Sequence, residues 1–197
     1  MFDIWLRRRI DPALDRIGGK LAKCGISANT VTLAGVLVGV GAAAFIAQEL
    51  WLAGLALVMA NRSLDGLDGT IARHTQPTAW GGYLDSLADY VFYIAVPLGF
   101  AWAVPVNVWP ALLLVSSFTL TAVSFLALAA ILAGRDLGHV QKSFTYTTGF
   151  MEGGETIAAF ILMCLFPDHF PLLATVFAVF CVITVGQRLW LAHRLLS

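Results

Sequence analysis

Four aspartates, Asp65, Asp68, Asp85 and Asp89, stand in segments that are otherwise apolar enough to cross a bilayer. An ionised carboxylate in hydrocarbon costs about +2.5 to +3.5 kcal/mol on insertion scales, so it is expected to face a wet cavity, a partner or a metal. The i,i+3 spacing of the first two and the i,i+4 spacing of the second two put each pair on one helix face. Four such charges repel one another, and burying them uncompensated costs more than helix packing returns. A multivalent cation relieves this. An all-oxygen ligand set favours Mg²⁺, Mn²⁺ or Ca²⁺ over zinc, and two ions bridged by carboxylates suit phosphoryl chemistry, stabilising attacking and leaving oxygens. Gly66 and Gly69 beside the first pair, and Gly81 and Gly82 before the second, leave bare backbone for the approach of a bulky ligand. Arg73, at the end of the first acidic segment, is placed to neutralise a diphosphate.

The elements that must carry these residues follow from composition. At 59% hydrophobic residues over 197 positions and a mean hydropathy of +0.82, the chain exceeds what a soluble core needs. The expected class is all-α: a polytopic membrane protein forming a single domain over 1–197, with a six-helix transmembrane bundle over 29–195 and an N-terminal interfacial helix. The spans are expected at about 29–47, 49–73, 79–104, 108–134, 152–167 and 170–195, judged against the roughly 20 residues needed to cross ~30 Å. Basic residues cluster at Arg7 to Lys23, Arg62 to Arg73, Arg135 to Lys142 and Arg188 to Arg194, while the joints Gln48-Glu49, Val104 to Asn107 and Pro167 to Phe170 carry none. By the positive-inside rule both termini are expected to be cytoplasmic, and the acidic cluster with them; the expected location is a membrane of the bacterial inner type.

Residues 3–22 place Ile4, Trp5, Ile10, Leu14, Ile17 and Leu21 on one broad face, with Arg7, Arg8, Asp11, Asp15 and Lys20 largely opposite. That pattern fits a helix lying on the inner leaflet, and the N-terminus lacks the form of a signal peptide. Cys24, Cys164 and Cys181 are an odd, scattered set that suits packing better than a disulfide framework or a zinc site.

The second span is apolar from Trp51 to Ala60 and then runs through Asn61, Arg62, Ser63, Asp65, Asp68 and Arg73, so its polar half should emerge toward the cytoplasm or line a cavity open to it. His74 to Thr78, containing Pro77, makes the turn into the third span. Asp68 lies six residues before His74 and Asp85 six after Ala79, which predicts matching depth. Asp65 and Asp89, nine before and ten after the same residues, match one turn deeper. The four acids therefore converge roughly 9 to 15 Å in from the turn, at about 1.5 Å per residue.

Asp65-Gly66-Leu67-Asp68-Gly69-Thr70-Ile71-Ala72-Arg73, followed by Gly81-Gly82-Tyr83-Leu84-Asp85-Ser86-Leu87-Ala88-Asp89, resembles the signature of the CDP-alcohol phosphotransferases, D-x-x-D-G-x-x-A-R then G-x-x-x-D-x-x-x-D. One departure is the gap between Arg73 and Gly81, seven residues where the family usually has one more. Asn29-Thr30-Val31-Thr32 resembles the P-N-x-x-T that opens the family's first span, with Ala28 in place of the proline. The resemblance implies transfer of a phosphoalcohol group from a CDP-linked lipid donor to an alcohol, releasing CMP. It also implies a divalent metal pair, Mg²⁺ or Mn²⁺, on Asp65, Asp68, Asp85 and Asp89, with Asp89 also the base for the acceptor hydroxyl. Gly69, Ala72 and Arg73, with Asn29 and Thr32, would line the nucleotide site, and the family suggests a homodimer among membrane lipids with no nucleic-acid partner. CDP-diacylglycerol is the expected donor; a small CDP-alcohol acting on diacylglycerol is the variant left open.

Asn29 and Thr32 have plainer roles available, as a helix cap and a bond to the helix backbone. Arg135, Lys142 and Arg188 are candidates to bind an anionic acceptor, although topology alone accounts for basic residues on that side. Glu152 and Glu155 open the fifth span, where acids suit a helix N-terminus. Pointing into the acceptor cavity, they would disfavour a phosphorylated acceptor and suit a neutral or cationic alcohol. His74, His139, His169 and His193 show no ligand spacing and receive no role. The competing class is a cation transporter or channel that uses the acids as an ion path, for which matched broken-helix repeats are expected and none is found.

Overall fold

The computed structural model describes residues 2–133 and 153–196; Arg135, Lys142 and Glu152 lie outside them. Among the described residues there are seven α-helices: α1 (Phe2–Lys23), α2 (Ala28–Ile46), α3 (Trp51–His74), α4 (Ala79–Ala103), α5 (Val108–Ala133), α6 (Gly153–Leu165) and α7 (Phe170–Leu196). The six expected spans correspond to α2 through α7, with ends shifted by a residue or two.

Local chemistry sets the joints. Gly25 takes φ 80°, a left-handed conformation open to glycine, and breaks α1 from α2. Ser27 then caps α2, its Oγ accepting from Thr30 N at 3.2 Å. Thr78 does the same for α4, accepting from Gly81 N at 3.0 Å. Glu49 closes the α2–α3 joint at φ 61°. Pro105 and Pro167 each open a single 3₁₀ turn, where the missing N–H costs nothing.

Four helical stretches are long and apolar enough to cross a bilayer: Ala28–Ile46, Ala79–Ala103, Pro105–Ala133 and Pro167–Leu196. The chain is an integral membrane protein. Two of the six expected spans do not meet that standard alone. α3 carries four charged side chains in its last thirteen residues, and α6 is 13 residues long within the described region.

α2 is the spine of the site-bearing half: α3 and α4 each pack along it and make little contact with each other. Close approach is possible because glycines face the neighbours. A Cβ on Gly99 of α4 would lie 2.6 Å from the backbone oxygen of Ala43 in α2, and one on Gly39 would press at 3.1 Å on both Asn61 and Phe92. α5 packs on α7 and on α4, while α6 packs on α3 and α7. The core between these halves is aromatic: Phe100 stacks on Phe170 at 4.4 Å and on Trp51 at 5.4 Å, and Phe92 meets Phe160 edge-on at 5.6 Å. Outside, Leu37, Trp102 and Trp109 are almost fully exposed, a surface suited to lipid rather than to water.

α1 lies along α3. Gly18 is buried against Thr70, Leu14 covers Gly66, and Asp15 Oδ1 lies 2.9 Å from His74 Nε2. The docked side of α1 therefore includes Asp15, which the helical pattern sets opposite the apolar face, while Ile17 is left exposed. His74, without a role in the sequence reading, ties α1 to the end of α3.

Candidate active site

The second half of α3 and the first half of α4 flank a cavity of about 440 Å³. It opens at the end of the bundle where the α1–α2 linker, Gly25 to Ala28, meets the α3–α4 turn, Thr75 to Thr78. Asp68 and Asp85 face each other in it, with Asn29, Thr32, Gly69, Ala72, Gly81 and Gly82 completing the wall. A second, narrower cavity of about 10 Å³ lies behind and is lined by Asp65, Asp68, Asp89, Asn61, Arg62 and Thr32. That is room for about one water. Asp68 and Asp85 line the larger cavity, and Asp65 and Asp89 line the narrower one, which Asp68 also borders.

Asp68, Asp89 and Asp65 each have a polar neighbour whose own position is set by packing. Thr32 Oγ1 lies 2.6 Å from Asp68 Oδ2 and 3.1 Å from the carbonyl of Ala28. Its single proton is best spent on the carboxylate, the shorter and charge-assisted bond. Because Ser27 caps α2, Asn29 is not needed for that purpose, while Thr32 also lies within reach of its own helix backbone at Ala28. In the inner chamber Arg62 Nη1 donates to Asp89 Oδ1 at 2.9 Å and lies 3.7 Å from Asp65 Oδ2. Asn61 Oδ1 accepts from Arg62 Nε and Nη2 at 2.8 and 2.6 Å, and Asn61 Nδ2 donates to the Gly35 carbonyl of α2 at 2.8 Å. Phe92 lies under the guanidinium, its ring centroid 4.3 Å from Cζ.

The donor chemistry of the four carboxylates fits a hard divalent ion. Their side chains do not converge on one point, however: among the described residues no three His, Cys, Asp or Glu side chains are grouped so as to hold a metal. Arg62 supplies the positive charge between Asp65 and Asp89.

The remaining sequence candidates divide. Asn29, Thr32, Gly69 and Ala72 line the open cavity, as do Gly81 and Gly82, whereas Gly66 is covered by Leu14 of α1 and so serves packing. Arg73 is exposed beside the cavity rather than among its wall residues, and its Nη2 donates to Thr70 Oγ1 at 2.9 Å. Glu155 sits half-buried in the first turn of α6, which begins against Tyr93 of α4, one turn beyond Asp89. Arg188 lies on the α5–α7 seam, donating to the Thr121 carbonyl at 2.7 Å and to Ser124 Oγ at 3.3 Å, over the Phe125 ring. Arg62 and Asn61, placed by the sequence in the polar half of the second span without individual roles, belong to the site. Their signal was present, a guanidinium and an amide at adjacent positions of an apolar helix.

The family model for CDP-alcohol phosphatidyltransferase matches residues 25–187. The chain is 41% identical to the inner membrane protein YnjF of Escherichia coli (strain K12), over all of this chain and 98% of that one. It is 32% identical to the archaetidylinositol phosphate synthase of Pyrococcus horikoshii, over 98% of this chain and 97% of the relative. The fold matches that of the phosphatidylinositol phosphate synthase of Mycobacterium tuberculosis at 22% identity. The structure of that protein with CDP-DAG bound has a TM-score of 0.74 and covers 91% of this chain and 92% of its own. A second structure of it, in complex with manganese and citrate, also has a TM-score of 0.74, with 91% of this chain and 88% of that one covered. The acidic signature, the six helices after α1 and these likenesses over nearly the whole length agree, and the chain belongs to the CDP-alcohol phosphatidyltransferase family, membrane-bound transferases of phospholipid synthesis.

Proposed function

We propose that this protein transfers the phosphatidyl group of CDP-diacylglycerol to a polar alcohol and releases CMP, with a divalent metal, at the cytoplasmic face of a bacterial inner membrane. The observation that carries this reading is the open chamber: a nucleotide-sized cavity with Asp68 and Asp85 at its walls, at the basic end of an otherwise lipid-facing bundle. A donor bound there keeps its acyl chains in lipid while its nucleotide stays in water. The related M. tuberculosis synthase has been solved with CDP-DAG and with manganese, and the E. coli relative is named an inner membrane protein; both support the assignment. Six crossings follow if α2 and α4 escort α3, and if the buried Phe160 and Met163 seat α6 in the bundle. The single domain then comprises the whole chain, and homodimerisation is expected from the family.

Asp65, Asp68, Asp85 and Asp89 would hold one or two Mg²⁺ or Mn²⁺ ions, which when bound offset the charge of the diphosphate and of the departing CMP. The protein's own residues do the rest. Gly69, Ala72, Gly81 and Gly82 let the nucleotide approach backbone, Asn29 offers an amide at the mouth, and Thr32 fixes the rotamer of Asp68. Arg73 stands at the rim to meet phosphate charge. Asp89 takes the proton of the acceptor hydroxyl as its oxygen attacks the phosphorus bearing the diacylglycerol, and the bond to the CMP oxygen breaks. Family membership speaks against the transporter reading.

The test is purified protein in detergent with CDP-diacylglycerol, Mg²⁺ or Mn²⁺, and a panel of serine, inositol, glycerol 3-phosphate, inositol phosphate and choline. CMP release that needs both metal and one acceptor, with the matching lipid product, is the expected result. Ion flux in vesicles without nucleotide turnover would end the reading. The acceptor class has its own signature: a phosphorylated acceptor should depend on Arg188, and a neutral or cationic one on Glu155.

A further inference from the structure

We infer that Arg62 is a built-in counter-ion of the acidic cluster, one that competes with divalent metal for Asp89 and Asp65 and so lowers the protein's metal affinity. The inference rests on the metal role proposed above for the four aspartates.

Arg62 is not a surface cation that happens to lie near acids. Its side chain is only 10% exposed. Both sides of the guanidinium are occupied: Asn61 accepts two of its hydrogen bonds, Asp89 accepts a third at 2.9 Å, and Asp65 stands at 3.7 Å. Its plane is backed by Phe92 at 4.3 Å and Tyr93 at 5.8 Å. Asn61 is itself anchored to the Gly35 carbonyl, so the fork is aimed by α2 as well as by α3. Such an arrangement is preorganised, because little side-chain freedom remains to be lost when the ion pair forms.

Charge counting gives the arrangement a purpose. Four carboxylates in a partly dry site need positive charge whether or not metal is bound. Arg62 provides one such charge permanently, at the Asp65–Asp89 pair. A divalent ion that uses Asp89 or Asp65 must share these carboxylates with the guanidinium and sit beside its positive charge, and that repulsion weakens its binding. The same competition means that Asp89, freed of metal, is still held against α3 rather than turned toward lipid.

The experiment is Mn²⁺ binding to full-length protein in detergent, followed by the electron paramagnetic resonance signal of free Mn²⁺, with thermal unfolding measured in parallel. Arg62→Gln, similar in length and neutral, should bind Mn²⁺ about tenfold more tightly than wild type, the size of one charge-assisted hydrogen bond. It should also melt at a lower temperature without metal and gain more on adding it. Arg62→Lys, which keeps the charge but loses the fork, should fall between. Affinity in Arg62→Gln that is unchanged or weaker, in protein that elutes as folded, overturns the inference while leaving the metal role of the aspartates intact. If Arg62→Gln cannot be recovered, Arg62→Lys decides: tighter binding than wild type supports competition, and equal or weaker binding overturns it. Absence of Mn²⁺ binding in wild type and both variants removes the metal reading and the competition with it.

Discussion

The hydroxyl of Thr32 and the carboxylate of Asp68 meet across thirty-six positions of sequence at 2.6 Å, in a buried setting. Thr32→Val keeps the shape and removes the donor, so CMP release should fall about tenfold, in line with one hydrogen bond to a charged group. Thr32→Ser should retain most of the rate, which separates loss of the bond from loss of packing. Asp89→Asn should reduce turnover by about 10²- to 10⁴-fold, the usual worth of a general base, while Mn²⁺ binding by the other three acids persists in part. A CMP-release assay and the same metal titration check both variants. At this scale the acids were readable beforehand, because helical periodicity alone fixes which of them share a face and a depth. Arg62 was not, since nothing in its local sequence says that its guanidinium reaches Asp89 of another helix rather than water. Only the packing of Asn61 and Phe92 around it decides that.

Among the elements, the seam between α2 and α4 is the least forgiving. At Gly99 an added methyl would meet the Ala43 carbonyl at 2.6 Å, and backbone cannot step aside as a side chain can. Gly99→Ala should therefore cost about 1–3 kcal/mol, seen as a lower midpoint in thermal unfolding. Gly82→Ala, with nothing within 4 Å of the new atom, should leave the midpoint equal or slightly higher and instead raise the KM for the CDP donor, because that methyl would stand in the open chamber. Helix positions were legible to within a residue or two, because runs of apolar residues broken by capping and turn residues mark them. The pairing of helices was less so. The sequence reading sets α3 and α4 side by side, whereas each makes most of its helix contact with α2. Small residues on three helices permit this, and a hydropathy profile does not say which neighbour a glycine faces.

For the molecule as a whole, the placement of basic clusters against bare joints predicts which end meets the cytoplasm, and Cys24 offers a direct check. It is exposed at the mouth end, while Cys164 and Cys181 are buried. A membrane-impermeant maleimide should label Cys24 in inside-out vesicles and spare it in right-side-out ones, with the other two silent in both. Labelling with the opposite sidedness would invert the topology. One consequence concerns how such a chain enters its membrane. α3 holds Arg62, Asp65, Asp68 and Arg73 within its last thirteen residues, a burden that no translocon would release into lipid unaided. It must wait at the lateral gate until α4 emerges from the ribosome, so that α2 and α4 can shield it together. Photocrosslinks from α3 to the translocon should persist in nascent chains truncated just after α3 and be lost in those that continue through α4.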